Sequence, residues 1–550
     1  VATSNDPLRG GVAAELRGDL DTFARHRLPA AMVPARYVVV RELPKLPNGK
    51  VDRGRLACLD PGAARDAYVP PGTPAETAIA RVWSDVLGVG DVGVRNDFFE
   101  LGGNSLTAVQ VVARLRDELG MDISVRQLFN ARTVGALAGT EDVRTETVGN
   151  PRGLPADELR AEVVLPADVS PDGALPPAAP PYRTVLLTGG TGYTGAFLIS
   201  ELLHRGPADL AVLVRAEDAE QATERVRANM ARYGRWRDEY AGRVTGVPGD
   251  LGAPYLGLSR RDYQRLTERA EMIVHNGALS SYALNYRQLK ASNVLGTVEV
   301  LRLACRHRVK PVHFVSSLAV FPGRSGEHDY RETEVADGDG VVGGYRQTKW
   351  VSDALVHAAA RRGLPVSVYR PGQITGAQDT GDCAQDTFLN AMIKGCVQLG
   401  AAFDFDVRLE MTPVDLFAGV VAHAALTGPG TVVHVPGERP LSWAELVDML
   451  VAYGYPLRRL PYAQWYRELI DAVRVGTPNE LTRFLPLFTP DGPAADLGYE
   501  HALPTFTTDN LRRVLPAAGL AYRPAGIGLV TTYLDYFRSI GYLPDTEASV

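Results

Sequence analysis

The sequence predicts a multidomain protein whose largest part is an α/β fold built on a doubly wound parallel sheet. Three observations lead there. A chain of 550 residues exceeds what one hydrophobic core holds. From Arg183 onward, short β-rich runs alternate with helical patterns, the mark of strands joined by crossover helices. The first of those runs leads directly into the glycine string T-G-G-T-G-Y-T-G at Thr188–Gly195, which gives the sheet a Rossmann-type character.

Bulk composition narrows the class. Hydrophobic residues make up 45% and charged residues 22%, the balance of an ordinary globular chain. The net charge of −6 has mixed signs and gives no support to nucleic-acid binding. Cys58, Cys305, Cys383 and Cys396 lie far apart and form no C-x-x-C. That carries no metal signal and suits a reducing cytoplasm. No apolar run approaches the roughly 20 residues of a membrane span, and no signal-peptide pattern opens the chain. Val1 in place of an initiator methionine points to a piece of something longer.

In chain order, residues 1–66 read as a small α+β segment. A polar helical stretch near Glu15–Arg27 precedes a short strand at Tyr37–Val40. The turn-rich loop L-P-K-L-P-N-G-K-V-D-R then presents Lys50. So few large apolar groups make a marginal core. After a break at Tyr68–Pro74 comes a compact unit over 70–140. Ile79, Val82, Trp83, Val86 and Leu87 recur at helical spacing. Leu106, Val109, Val112, Ala113 and Leu115 repeat the pattern, and shorter helices are expected near Val125–Phe129 and Thr133–Ala138. The unit is therefore expected to be a four-helix bundle. In it, L-G-G-N-S-L places the Ser105 hydroxyl at a helix start. Residues 141–182, rich in Pro, Asp, Glu and Gly, read as a linker able to dock in part through Leu159–Leu165. Strands follow at Thr184–Thr188, Leu210–Arg215, Met272–His275, Val312–Ser316 and Val366–Arg370. After about 380 the pattern turns irregular, and 381–550 is expected to be mainly a helical substrate subdomain.

The glycine string carries the first chemistry. Gly189, Gly192 and Gly195, with Thr191, Tyr193 and Thr194 among them, stand between a strand and the helix Ala196–His204. A pyrophosphate must approach backbone N–H groups there, and any Cβ would block it. The second strand ends in Arg215, not in an acidic residue. A guanidinium suits a ribose 2′-phosphate, so NADPH is expected over NADH. Arg225 would assist, or be solvated surface. Asp250 and Leu251 would edge the adenine, or form an ordinary turn. The second chemistry is Y-R-Q-T-K, which puts Tyr345 and Lys349 one helical turn apart. A nearby ammonium favours phenolate and makes the tyrosine a better acid/base. Ser317, in F-V-S-S-L-A-V at a strand end, can hydrogen-bond a developing oxyanion, and Ser316 is the weaker candidate.

With these motifs in order, residues 183–550 resemble an extended short-chain dehydrogenase/reductase. Within that group they resemble the thioester reductase domains of peptide synthetases and related carboxylic acid reductases. Besides the runs quoted above, V-L-V-R-A, G-D-L, V-H-N-G-A, N-V-L-G-T and Y-R-P-G-Q-I-T-G carry the likeness. Tyr193-Thr194 stands where the family commonly has Phe-Leu, and Ser317 where it often has Thr. The resemblance implies Tyr345, Lys349 and Ser317 as the catalytic set, with Asn276, Asn293 and Pro371 on the cofactor side or as structural strand ends. D-F-F-E-L-G-G-N-S-L resembles the attachment motif of peptidyl carrier proteins, which implies 4′-phosphopantetheine on Ser105, added by a separate transferase. Asn104 stands where many carriers have His or Asp. L-P-A-A-M-V-P-A-R and L-P-N-G-K-V-D-R resemble the C-terminal subdomain of adenylation domains. Lys50 then matches that subdomain's lysine, in a remnant not expected to adenylate.

The expected whole is the terminal module of a nonribosomal peptide synthetase, monomeric by default and working with upstream synthetase domains. It would reduce a tethered acyl or peptidyl thioester to an aldehyde, with a second round giving an alcohol. Three alternatives stand beside this. An epimerase or dehydratase of nucleotide sugars is disfavoured by the carrier, because a free sugar needs no arm. A redox-inactive cyclising release domain is disfavoured by Tyr345. A docking platform with a dead reductase would fail to bind NADPH.

Overall fold

The computed structural model describes residues 68–546 except 104–106, 109, 113, 116–126, 129–130, 143–152, 282–283, 323–328, 405–407, 476, 490–491 and 494–503. The remnant expected at 1–66, with Lys50, lies outside the described residues, and so does Ser105. The chain divides into two compact units, one built around Val1–Val148, the other from Gly149–Leu469 and Asn479–Val550. Among the described residues no helix is long and apolar enough to cross a membrane.

The first unit is helical. Thr73 and Glu76 close a reciprocal capping box over the start of α1 (Pro74–Leu87), and Gly88 ends it at φ +62°. Both termini therefore satisfy backbone groups that a bare helix leaves open. Ile79, Val82 and Trp83 turn one face inward and are fully buried with Phe98, Val111, Leu115, Leu128 and Leu137. The rings of Trp83 and Phe98 meet edge-on at 4.9 Å. α2 (Val134–Asp142) completes the unit, and the described positions within 107–115 and 127–128 are helical as well.

The second unit is an α/β sheet of seven strands: β1 (Thr184–Thr188), β2 (Asp209–Val214), β3 (Val244–Pro248), β4 (Met272–His275), β5 (Val312–Val315), β6 (Val366–Pro371) and β7 (Val432–Val435). Their order is β7-β6-β5-β4-β1-β2-β3, and every neighbouring pair is parallel. Runs such as T-V-L-L-T and M-I-V-H suit strands covered on both faces. Ahead of the sheet lies α3 (Ala156–Ala161). One face is covered by α4 (Tyr193–Arg205) and α5 (Ala219–Arg232). The other is covered by α6 (Gly296–Ala304) and α7 (Gly344–Arg361). α8 (Val414–Thr427) packs beside α4 in the same core as Phe197, Leu202 and Val226. The strand order reverses between β1 and β4, which opens a crevice at their C-terminal ends.

One expectation changes. The boundary near 380 does not separate the sheet from the C-terminal residues, because β7 pairs with β6 from Val432↔Val368 to Val435↔Pro371. A four-residue edge strand between turns leaves too short a pattern to read. The segment read as a linker docks, as expected, through Leu159 and Leu165, and it carries the short helix α3. From Gly153 the chain lies against α7, with Leu159, Leu165 and Val169 buried in the core that holds Val351 and Leu355. Gln347 on α7 exchanges hydrogen bonds with both the N–H and the carbonyl of Leu154, each at 2.8 Å. Arg362 donates to the carbonyls of Leu165, Pro166 and Val169. Leu159→Ala is expected to destabilise this unit by about 2–5 kcal/mol, since the fully buried side chain leaves a cavity behind. Urea unfolding would read the loss as a lower midpoint at unchanged slope.

Candidate active site

The nucleotide end is built by close backbone approach. Gly189 adopts φ +74°, and a Cβ there would lie 2.8 Å from Gly277 Cα. A Cβ on Gly195 would lie 2.2 Å from the Gly189 carbonyl oxygen, so α4 can rest against the loop only without one. Asn229 on α5 pins the loop by donating to the carbonyls of Gly190 and Gly192, and Asn276 donates to that of Gly189 at 3.3 Å. Gly192 opens α4 with no side-chain cap, which leaves first-turn N–H groups facing the crevice for an anion. These features fit a dinucleotide pyrophosphate. Gly195→Ala is expected to weaken nucleotide binding about tenfold or more through overpacking of about 1–3 kcal/mol. Calorimetric titration with NADPH would measure it.

One cavity of about 960 Å³ runs from this loop to the proton-donor end. Gly189, Thr191, Gly192, Tyr193, Thr194, Arg215, Asp250, Leu251, Asn276 and Pro371 line it, together with Ser317, Tyr345 and Lys349. Gly195, Arg225 and Asn293 do not. Gly195 acts through packing. Arg225 donates to the carbonyl of Arg215 and so braces the end of β2. Asn293 is buried behind the wall, where it accepts from the Leu279 N–H at 2.7 Å and donates to Thr348 on α7 at 3.0 Å. Its place is structural. Asp250 faces the cavity and also accepts from the Gly252 N–H at 2.9 Å, so it serves as a turn residue as well. The Tyr193 hydroxyl lies 2.9 Å from the Thr375 carbonyl and 2.8 Å from that of Asp382, tying α4 to the segment after β6.

At the other end, β5 stops at Val315, one residue earlier than expected. The Ser316 N–H still donates to the Tyr369 carbonyl of β6 at 2.7 Å, and Ser317 is the first residue past the ladder. Ser317 accepts from the Ala319 N–H at 3.1 Å at the start of a short 3₁₀ turn. Tyr345 stands half-buried on the first turn of α7. The buried Lys349 donates to the Val315 carbonyl at 2.6 Å, with Nζ 4.4 Å from the centre of the Phe314 ring. Burial lowers its pKa to about 8, opposed in part by Asp353 one turn further on. His275, between Thr188 at 2.7 Å and Thr297 at 3.1 Å, is pushed down to about 3 by burial and by Lys349, and is neutral.

A buried ion pair behind the site was missed in the sequence. Arg370 at the end of β6 grips Asp353 of α7 with two hydrogen bonds, at 3.0 and 2.8 Å. Ser316 donates to the same carboxylate. One carboxylate thereby joins β5, β6 and α7, the three elements that present Ser317, Pro371 and the Tyr345–Lys349 pair. The signal was there: Asp353 follows Lys349 by four residues, and Arg370 lies inside Y-R-P-G.

In the helical unit, Asp97 organises the loop ahead of Ser105. It accepts from the Phe99 N–H at 2.8 Å and pairs with Arg132 at 2.9 Å. Gly103 packs so tightly on the Phe98 ring that a Cβ would lie 2.4 Å away.

Fold and site together define an oxidoreductase of the extended short-chain dehydrogenase/reductase class. A family model described as "Male sterility protein", an NAD-binding one, matches residues 187–421, and one described as "Phosphopantetheine attachment site" matches 77–140. A linear gramicidin synthase of Brevibacillus parabrevis is 35% identical over 83% of this chain, which spans 9% of that relative. Isonitrile lipopeptide synthase of Streptomyces coeruleorubidus is 36% identical over 94% of this chain, which spans 37% of it. The crystal structure of the terminal R domain from the myxalamid PKS-NRPS biosynthetic pathway is 36% identical, with a TM-score of 0.66 over 71% of this chain and 100% of its own. The chain belongs to the family of terminal thioester reductase domains of nonribosomal peptide synthetases, with a phosphopantetheine carrier domain ahead of the reductase. Reductive release of a carrier-bound thioester is that family's reaction.

Proposed function

We propose that this chain reduces an acyl or peptidyl thioester held on a 4′-phosphopantetheine arm at Ser105 and releases it as an aldehyde, with NADPH as reductant. The observation that carries this reading is the single cavity lined by the glycine loop and Arg215 at one end and by Ser317, Tyr345 and Lys349 at the other. NADPH bound there supplies the hydride. Arg215, exposed at the end of β2, holds the 2′-phosphate, with its backbone braced by Arg225. Gly189, Gly192 and the first turn of α4 hold the pyrophosphate. Ser317 and Tyr345 hydrogen-bond the thioester carbonyl oxygen as it gains charge, and Tyr345 gives it a proton. Lys349 keeps the phenol acidic enough to do so. The apolar wall of Phe388, Phe484 and Leu487 faces the acyl group. A phosphopantetheinyl transferase and upstream synthetase domains are the partners this reading requires, acting in the cytoplasm.

The test uses the chain with its arm installed and an acyl group loaded. Addition of NADPH should consume nicotinamide absorbance and yield an aldehyde by mass spectrometry, or an alcohol if a second round follows. NADH should serve worse, and Arg215→Ser should narrow that preference by about tenfold, the size of one charge-assisted contact. No oxidation with any loaded acyl group would sink the reading.

A further inference from the structure

We propose that Glu410 selects acyl groups carrying an N–H donor near the thioester carbon, that is, aminoacyl or peptidyl groups over plain acyl chains. This rests on the reductive-release reading above. Past β6, Gln373–Thr375 pairs in parallel with Met411–Pro413, with Gln373 opposite Met411. One step back along that ladder sets Glu410 beside Gly372. The Gln373 N–H donates to the Glu410 carbonyl at 2.8 Å, and a Cβ on Gly372 would lie 3.0 Å from that of Glu410. Glu410 is therefore the neighbour of the Pro371–Gly372 turn, and it lines the same cavity as Tyr345 and Lys349.

Its carboxylate is held but not neutralised. Oε2 accepts from the Gly437 N–H at 3.0 Å. Among the described residues no side chain pairs with Glu410, although Arg408 lines the same cavity. Burial pushes its pKa up, opposed only by the Gly437 N–H. Leu409, Phe388 and Phe506 line the same cavity, while Arg408, Glu438 and Arg512 share with Glu410 the adjoining one. A half-buried carboxylate with an open oxygen loses hydration when a chain enters, and only a donor on that chain restores the balance. Glu410 also lines an adjoining cavity of about 620 Å³. A chain that passes the carboxylate has room to continue there.

The experiment presents three pantetheine thioesters to the full chain with NADPH: an aminoacyl group, its N-acetyl derivative and the des-amino acyl group of equal length. The des-amino thioester should show a kcat/KM about tenfold lower, the discrimination of one charge-assisted hydrogen bond. In Glu410→Leu and Glu410→Gln that ratio should fall toward one, while NADPH affinity by calorimetry reports that the fold is kept. Loss confined to the free amine identifies an ammonium as the ligand, and loss shared by the N-acetyl derivative identifies an amide N–H. Equal kcat/KM for all three thioesters in the unaltered chain would overturn the proposal, as would an unchanged ratio in the variants. If no thioester is reduced at all, the reductive-release reading falls with it.

Discussion

Tyr345→Phe is expected to lower the rate of thioester reduction by about 10²–10⁴-fold, the span of a lost general acid, with NADPH binding retained. Only a hydroxyl is removed. The ring keeps its place on the first turn of α7, and the glycine loop that holds the nucleotide is untouched. On the proposed roles Ser317 keeps its hydrogen bond to the carbonyl oxygen, so a residual rate should survive. Steady-state loss of nicotinamide absorbance reads the rate, and calorimetry reads the binding. Equal turnover in the variant would remove Tyr345 from the chemistry. The intact site also predicts an alkaline limb. Lys349 helps only while protonated, and burial places its pKa at about 8. As pH rises through that value the ammonium is lost, the phenol becomes a weaker acid, and the rate falls. Lys349→Met should remove that limb along with most of the activity.

Asp353→Leu should cost about 3–5 kcal/mol of stability, because it leaves the Arg370 guanidinium buried without a counter-charge. The pair is more enclosed than a surface salt bridge: Arg370 is 0% and Asp353 2% exposed. Burial alone would raise the Asp353 pKa, yet Arg370 and His357 hold the carboxyl well below its ordinary range. A carboxyl with a lowered pKa stabilises the fold fully above its ordinary value, and that contribution is lost as pH falls through the lowered one. The double variant with Arg370→Leu should recover part of the loss, since no lone charge then remains. Thermal and urea unfolding of the single and double variants beside the unaltered chain at neutral pH measure this. A single Asp353→Leu variant as stable as the unaltered chain would show the pair to be dispensable.

Much of the site was legible because its chemistry is local. A nucleotide loop needs glycines at fixed offsets, and T-G-G-T-G-Y-T-G supplies them. A phenol and an ammonium one turn apart need only the spacing of Tyr345 and Lys349. The five strands read from apolar runs fell in place to within a residue at each end, because strands covered on both faces leave uninterrupted apolar stretches. What escaped was whatever depends on partners far along the chain. By sequence Asn293 stands open between a cofactor-side and a structural residue, and only the fold sets it between Leu279 and Thr348. In 141–182 the docking of Leu159 and Leu165 was legible, but Val169 beside them was not, because the three are spaced by turns and not by a helical period.

By itself, the sequence determined the class of chemistry: a carrier motif, a glycine loop for a nucleotide, and a tyrosine–lysine pair. These are properties of short segments, and short segments carry them wherever they fold. Tertiary structure alone decided that the loop and the pair share one cavity, that Asp353 and Arg370 bind three elements behind it, and that Glu410 reaches its wall. Each joins residues separated by tens to hundreds of positions, and only the strand order β6-β5-β4-β1 brings them within a hydrogen bond or a cavity's width of one another.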